Sequence, residues 1–125
     1  MILAVLDDLL FTSKIRAAAG QLAAKVVFAR SSAAALDEMR KARPSLVIFD
    51  LNNPRTDPLG TVRAMKSDAA LAGIPTLGFV SHVQVELIEE ARAAGMTEVL
   101  ARSAFAGNLG EILTRVRDHS AAAGA

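Results

Sequence analysis

Five short apolar runs, at residues 2–6, 26–28, 46–49, 76–80 and 99–101, punctuate this chain, and each gap between them has room for a helix. Within the runs, apolar residues occupy consecutive positions instead of alternating with polar ones. A strand reads that way when both of its faces are buried, as in a parallel sheet covered on two sides. Helical periodicity fills the gaps. The first helix is expected at about 9–23, with Phe11, Ile15, Ala18 and Leu22 on one stripe. The second has Ser31 or Ser32 as N-cap, turns Ala35, Leu36 and Met39 inward, and is stopped by Pro44. The third starts at Asp57 as N-cap with Pro58 in the first helical position, and faces Leu59, Val62 and Ala69 inward. The fourth runs from about 82 to 94 and ends at Gly95, while the fifth carries Leu109, Ile112, Leu113 and Val116. Five strands alternating with five helices predict a single-domain α/β fold, a doubly wound parallel sheet. Right-handed crossovers leave few topologies for it. Residues 1–119 are read as the domain and 120–125 as a flexible tail.

Composition removes several function classes. A chain of 125 residues makes one domain, and 52% hydrophobic residues are enough to build its core. There is no cysteine, so disulfides, thiolate zinc sites and cysteine nucleophiles are excluded. Net charge is +1 with no basic run, which gives nucleic acid no electrostatic footing. No apolar stretch approaches the roughly 20 residues of a membrane span, and no basic leader precedes the first run. With no Trp and no Tyr, a site built on aromatic stacking is poorly supplied.

The strand ends carry the chemistry. The run at 2–6 ends in Asp7 and Asp8, the run at 46–49 in Asp50, the run at 76–80 in Ser81 and His82, and the run at 99–101 in Arg102 and Ser103. Parallel sheets bind ligands beyond the carboxyl ends of their strands, so these side chains have one natural place to meet. Three neighbouring carboxylates repel, and at neutral pH they take up either a proton or a cation. Mg²⁺ accepts a few oxygen ligands, keeps waters, and then takes a phosphate. With a metal present, Asp50 could attack a phosphoryl group as a nucleophile. The plainer alternative makes Asp7 or Asp8 a cap of the first helix and Asp50 a solvated loop acid.

At these residues the chain resembles the receiver domain of bacterial response regulators, the flavodoxin-like fold of two-component signalling. The resemblance spans nearly the whole chain. It rests on Asp7 and Asp8 after the first strand, Asp50 after the third, Ser81 after the fourth and a cation after the fifth. The stretch Asp50, Leu51, Asn52, Asn53, Pro54 matches the family's Asp-x-x-x-Pro loop, and Asp57 and Gly95 fall at family positions. The resemblance implies a sheet of order 2-1-3-4-5. It makes Asp50 the phosphoacceptor. Asp8, Asp50 and the backbone carbonyl of Asn52 would hold Mg²⁺, with Asp7 acting through a water, and Ser81 would bind the phosphoryl group and report its arrival. It also implies a cytoplasmic signalling protein, a monomer or weak dimer, that is no enzyme beyond taking a phosphoryl group and slowly losing it. Its partners would be a histidine kinase or phosphotransfer protein and a downstream protein target.

The chain departs from the family pattern at several positions. Arg102 stands where a lysine is nearly invariant, Ser103 where a proline follows, Val99 where the switch aromatic sits, His82 where a small residue is usual, and Pro58 where glycine is usual. Arg102 is expected to reach Asp50 and tie it up; otherwise it points to solvent or pairs with another acid. Ser81 is read as a phosphoryl ligand or as the cap of the fourth helix. His82 is read as an ordinary helix-start residue or as a screen against water at the phosphoacceptor, and His119 as a favourable charge in the last helical turn. Valine at 99 has one stiff torsion and cannot swing as an aromatic ring does. Two readings therefore stand: a phosphoaccepting receiver, and a pseudo-receiver that binds a partner without phosphorylation. A flavin-binding electron carrier of similar topology is a third. Its phosphate loop after the first strand would have to be built from Asp7, Asp8, Leu9, Leu10, Phe11, Thr12 and Ser13, which contain no glycine.

Overall fold

A computed structural model describes residues 1–81 and 84–114 of the chain. Strands β1 (Ile2–Val5), β2 (Val26–Ala29), β3 (Leu46–Asp50), β4 (Thr76–Val80) and β5 (Glu98–Ala101) alternate with helices α1 (Leu9–Gln21), α2 (Ser32–Lys41), α3 (Pro58–Lys66), α4 (Val85–Ala94) and α5 (Arg102–Gly107). A short 3-10 turn, Pro54–Thr56, precedes α3, and residues 109–114 are again helical. All strand pairs are parallel, in the order β2-β1-β3-β4-β5. The chain leaves β1 for β2 on one side and returns to β3 on the other, so the direction of winding reverses between β1 and β3. A crevice opens at such a point, beyond the carboxyl ends of the strands.

The apolar runs are continuous because each face of the sheet has its own core. Side chains alternate across a strand. Leu3, Val5, Val47 and Phe49 pack under α2, α3 and α4 with Ala35, Met39, Val62, Met65 and Ala91. Ile2, Ala4, Leu46, Ile48 and Phe79 pack on the opposite face with Phe11, Ile15, Phe105, Leu109, Ile112 and Leu113. On this second face the rings of Phe11, Phe79 and Phe105 form a trio with centroids 4.7–5.7 Å apart. The trio ties the starts of α1 and α5 to β4, just below the carboxyl edge of the sheet.

Local signals set the helix ends. Asp8 caps α1 by accepting from the Phe11 amide, Ser31 caps α2 by accepting from Ala34, and Asp57 caps α3 by accepting from Gly60. Pro58 occupies the first turn of α3, where a missing N–H costs nothing. Gly95 ends α4 at φ 111°, in the left-handed region.

Several expectations need correction. The inward stripe of α1 is Phe11, Ile15 and Ala19, whereas Ala18 and Leu22 are only partly buried and the helix ends at Gln21. Ala69 is exposed, because α3 stops at Lys66 and the chain turns away. The fourth helix is Val85–Ala94, with Gln84 in the cap position, and the expected start near 82 lies outside the described residues. The fifth helix begins immediately after β5, at Arg102, and breaks at Asn108, so the expected single helix is two helical segments. Val116, His119 and the 120–125 tail lie outside the described residues. No helix among the described residues is long and apolar enough to cross a membrane.

Gly95→Ala should lower stability by about 1–2 kcal/mol, the cost of holding an L-residue in left-handed backbone. Urea unfolding checks this, and a loss below a few tenths would mean that the end of α4 relaxes instead.

Candidate functional site

Parallel pairing aligns the strand ends. Val5 pairs with Phe49 and Asp50 with Phe79, so the residues that follow β1, β3 and β4 emerge side by side. Asp50 is the last residue of β3 and is only 9% exposed. Its Oδ1 accepts the Asn52 backbone N–H at 3.0 Å. Burial pushes its pKa above the ordinary 3.8, the Asn52 N–H and the charge of Arg102 oppose the rise, and the charge of Asp8 adds to it.

Asp8 is the N-cap of α1. Its Oδ1 takes the Phe11 N–H at 3.0 Å and its Oδ2 the Arg102 Nη2 at 2.9 Å. The Phe11 hydrogen bond and then the guanidinium hold its pKa below the ordinary value against some desolvation. Asp7 is also held low, with Arg30 the leading cause and Arg55 a lesser one, again against some desolvation. Its Oδ1 accepts from Arg30 Nε at 3.0 Å and its Oδ2 from Arg55 Nη1 at 3.0 Å.

Arg102 does not reach Asp50 with a hydrogen bond, contrary to the first expectation; it pairs with Asp8. The reason lies in the aromatic trio. The guanidinium lies over the Phe11 ring, 4.4 Å from its centroid, and a planar cation gains on an aromatic face. Phe11 is in the first turn of α1, where Asp8 is the cap, so the stacked guanidinium meets the Asp8 carboxylate first. Pairing with the more exposed acid also costs less desolvation than pairing with buried Asp50.

Ser81 is exposed and does not cap α4. Its backbone N–H donates to Asn52 Oδ1 at 2.6 Å, and Asn52 Nδ2 donates to Gln84 Oε1 at 2.5 Å. The Asn52 side chain therefore straps the loop after β3 to the loop after β4. His82 lies outside the described residues.

Asp7, Asp8, Asp50, Asn52, Ser81 and Arg102 all lie along one edge of the sheet, as the strand ends imply. Among the described residues no group of three or more His, Cys, Asp or Glu side chains stands ready to hold a metal ion, and Asp7 and Asp8 each accept from their own partners. Sequence reasoning missed Arg30, Arg55 and Gln84. Arg30 follows β2 and Arg55 follows Pro54, and both flank the end of β1 once β1 is placed between β2 and β3. Nothing local marks Gln84.

No protein-family model and no curated protein sequence matches the chain. Solved structures do match it, and they are response regulator receiver domains. The chemotaxis response regulator CheY4 of Vibrio cholerae is 25% identical, with 92% of this chain and 96% of that one covered at a TM-score of 0.79. The phosphorylated cyanobacterial phytochrome response regulator RcpA is 24% identical over 94% of this chain and 90% of that one, at 0.75. The Mn²⁺-bound response regulator Rcp1 is 17% identical over 89% of each chain, at 0.76. The chain has the receiver-domain fold.

The carboxylates differ in their linkage to stability. Asp7 and Asp8, held low, contribute stability that is present above pH 3.8 and lost as pH falls through their depressed folded values. Asp50, held high, works the other way, costing stability as pH rises from 3.8 through its raised folded value. Asp50→Asn should therefore stabilise the protein at pH 7, by about 1 kcal/mol, and the gain should vanish near pH 3, where the wild-type carboxyl is neutral. Urea unfolding at the two pH values checks this; a variant no more stable than wild type at pH 7 contradicts it.

Proposed function

We propose that the chain is a phosphorelay receiver that accepts a phosphoryl group on Asp50 and signals through protein–protein contacts. The observation that carries the reading is the placement of Asp50. It is buried at the carboxyl end of a central strand, beside the point where the winding reverses, and the charge of Asp8 acts on it. A strand-end carboxylate supported this way is a fixed nucleophile. One oxygen is held by the Asn52 N–H, which leaves the other to form the bond to phosphorus as the donor's leaving group departs with its electrons.

The donor set is hard oxygen, which suits Mg²⁺. Asp8, Asp50 and the backbone carbonyl of Asn52 would hold the ion, with Asp7 acting through a water. The ion would neutralise charge on the phosphoryl oxygens. Rcp1, of the same fold, is described with Mn²⁺ bound, and RcpA in a phosphorylated form. The Ser81 hydroxyl would meet the phosphoryl group from the β4 side. The donor would be a histidine kinase or a phosphotransfer protein, and beyond this transfer and a slow hydrolysis the domain is not an enzyme.

A second reading has its own support. With Arg102 on Asp8 and two arginines on Asp7, the resting site is already neutralised, as a phosphorylation-independent pseudo-receiver would be. Val99, partly buried against the core under α4, has no aromatic swing with which to signal.

Intact mass after incubation with acetyl phosphate and Mg²⁺ separates the two readings. A single phosphoryl adduct, absent from Asp50→Asn, is the expected result. No adduct under conditions that label an ordinary receiver would leave the pseudo-receiver.

A further inference from the structure

The two acids that follow β1 have no free carboxylate oxygen. Both oxygens of Asp7 accept from guanidinium groups, one from Arg30 and one from Arg55. Asp8 divides its oxygens between the Phe11 amide and Arg102. Three guanidinium charges thus stand beside the three carboxylates of the site, and the negative field that would draw in a divalent cation is cancelled locally. We propose that Arg102, Arg30 and Arg55 are built-in counter-ions of this site, so that a divalent cation enters only by exchanging with them. The proposal rests on the metal reading given above, in which Asp7 and Asp8 are the receiving acids.

The three arginines are not equal. Arg30 and Arg55 are 67% and 81% exposed at the side chain, so solvent and salt screen their pairs and they exchange readily. Arg102 is 35% exposed, lies on the Phe11 ring and bonds an acid that is itself fixed as a helix cap. It is the strongest competitor of the three. A cation must therefore displace a whole guanidinium group from its acid. The site's affinity for a divalent cation is accordingly set by arginine contacts as much as by its carboxylates.

Mn²⁺ titration of the purified protein without a phosphodonor, read by electron paramagnetic resonance of the free ion, tests this directly. Arg102→Ala should bind Mn²⁺ about three- to tenfold more tightly than wild type, and the Arg30→Ala/Arg55→Ala double variant more tightly by a smaller factor. The double variant changes only exposed side chains, so it keeps the test alive if Arg102→Ala fails to fold. In the wild type, Mg²⁺ should also shift the Arg102 Nε–H resonance in an NMR titration, as its partner is lost. If wild type binds Mn²⁺ and the variants bind it equally or more weakly, the counter-ion proposal falls and the metal reading stands. If neither wild type nor any variant binds Mn²⁺, both fall.

Discussion

Parallel pairing is the constraint from which everything at this site follows. A parallel strand must be left and re-entered by a crossover, so every loop that leaves a strand's carboxyl end collects on one edge of the sheet. Here that places Asp7 and Asp8 after β1 beside Asp50 on β3, with Ser81 and Arg102 on the flanking connections. The same pairing buries both faces of β1, β3 and β4. Residues such as Leu3, Val47 and Phe49 are fully buried, and they hold the strand ends in a fixed register.

On that rigid edge the electrostatics are a contest between partners for the same carboxylates. Helix α1 claims one oxygen of Asp8 for its first turn, Arg102 claims the other, and Asp7 is divided between two arginines. Asp50 is mostly buried and, among the described residues, its side chain accepts one backbone N–H, from Asn52. Capping and site electrostatics are therefore concurrent uses of one residue: Asp8 caps the start of a helix while its charge acts on Asp50. The aromatic trio, which looks like ordinary core, directs this contest. It supplies the surface on which the Arg102 guanidinium rests, and so decides which acid it meets.

The signals that could be read from the chain alone were the local ones. Continuous apolar runs, caps at Ser31 or Ser32 and at Asp57, Pro58 in a first helical turn and Gly95 at a helix end were each a physical requirement met by one residue type, and each is found in the structure, the first cap at Ser31. The resemblance added the order of the strands. What could not be read depended on reach. The partner of Arg102 depends on a ring in a different helix, 91 positions away in the chain by its numbering (102 − 11). Arg30 and Arg55 become neighbours of Asp7 only once β1 lies between β2 and β3. The break at Asn108 is of the same kind. The apolar spacing of Leu109, Ile112 and Leu113 marks a helix, but not where the preceding one stops.

Among the described residues, no side chain caps the first amides of helix α4. Its cap residue, Gln84, is instead held by Asn52, whose backbone N–H rests on Asp50. Many helices carry their own start signal in a capping side chain. This one shares its start with a loop 32 residues earlier in the chain. The order of its opening turn is therefore not a local property of α4 but a joint property of two loops, and the two should tighten or fray together. A helix that depends in this way on a neighbouring loop is a gauge: the state of the β3 loop can be read at a distance, from how firmly the first turn of α4 is wound.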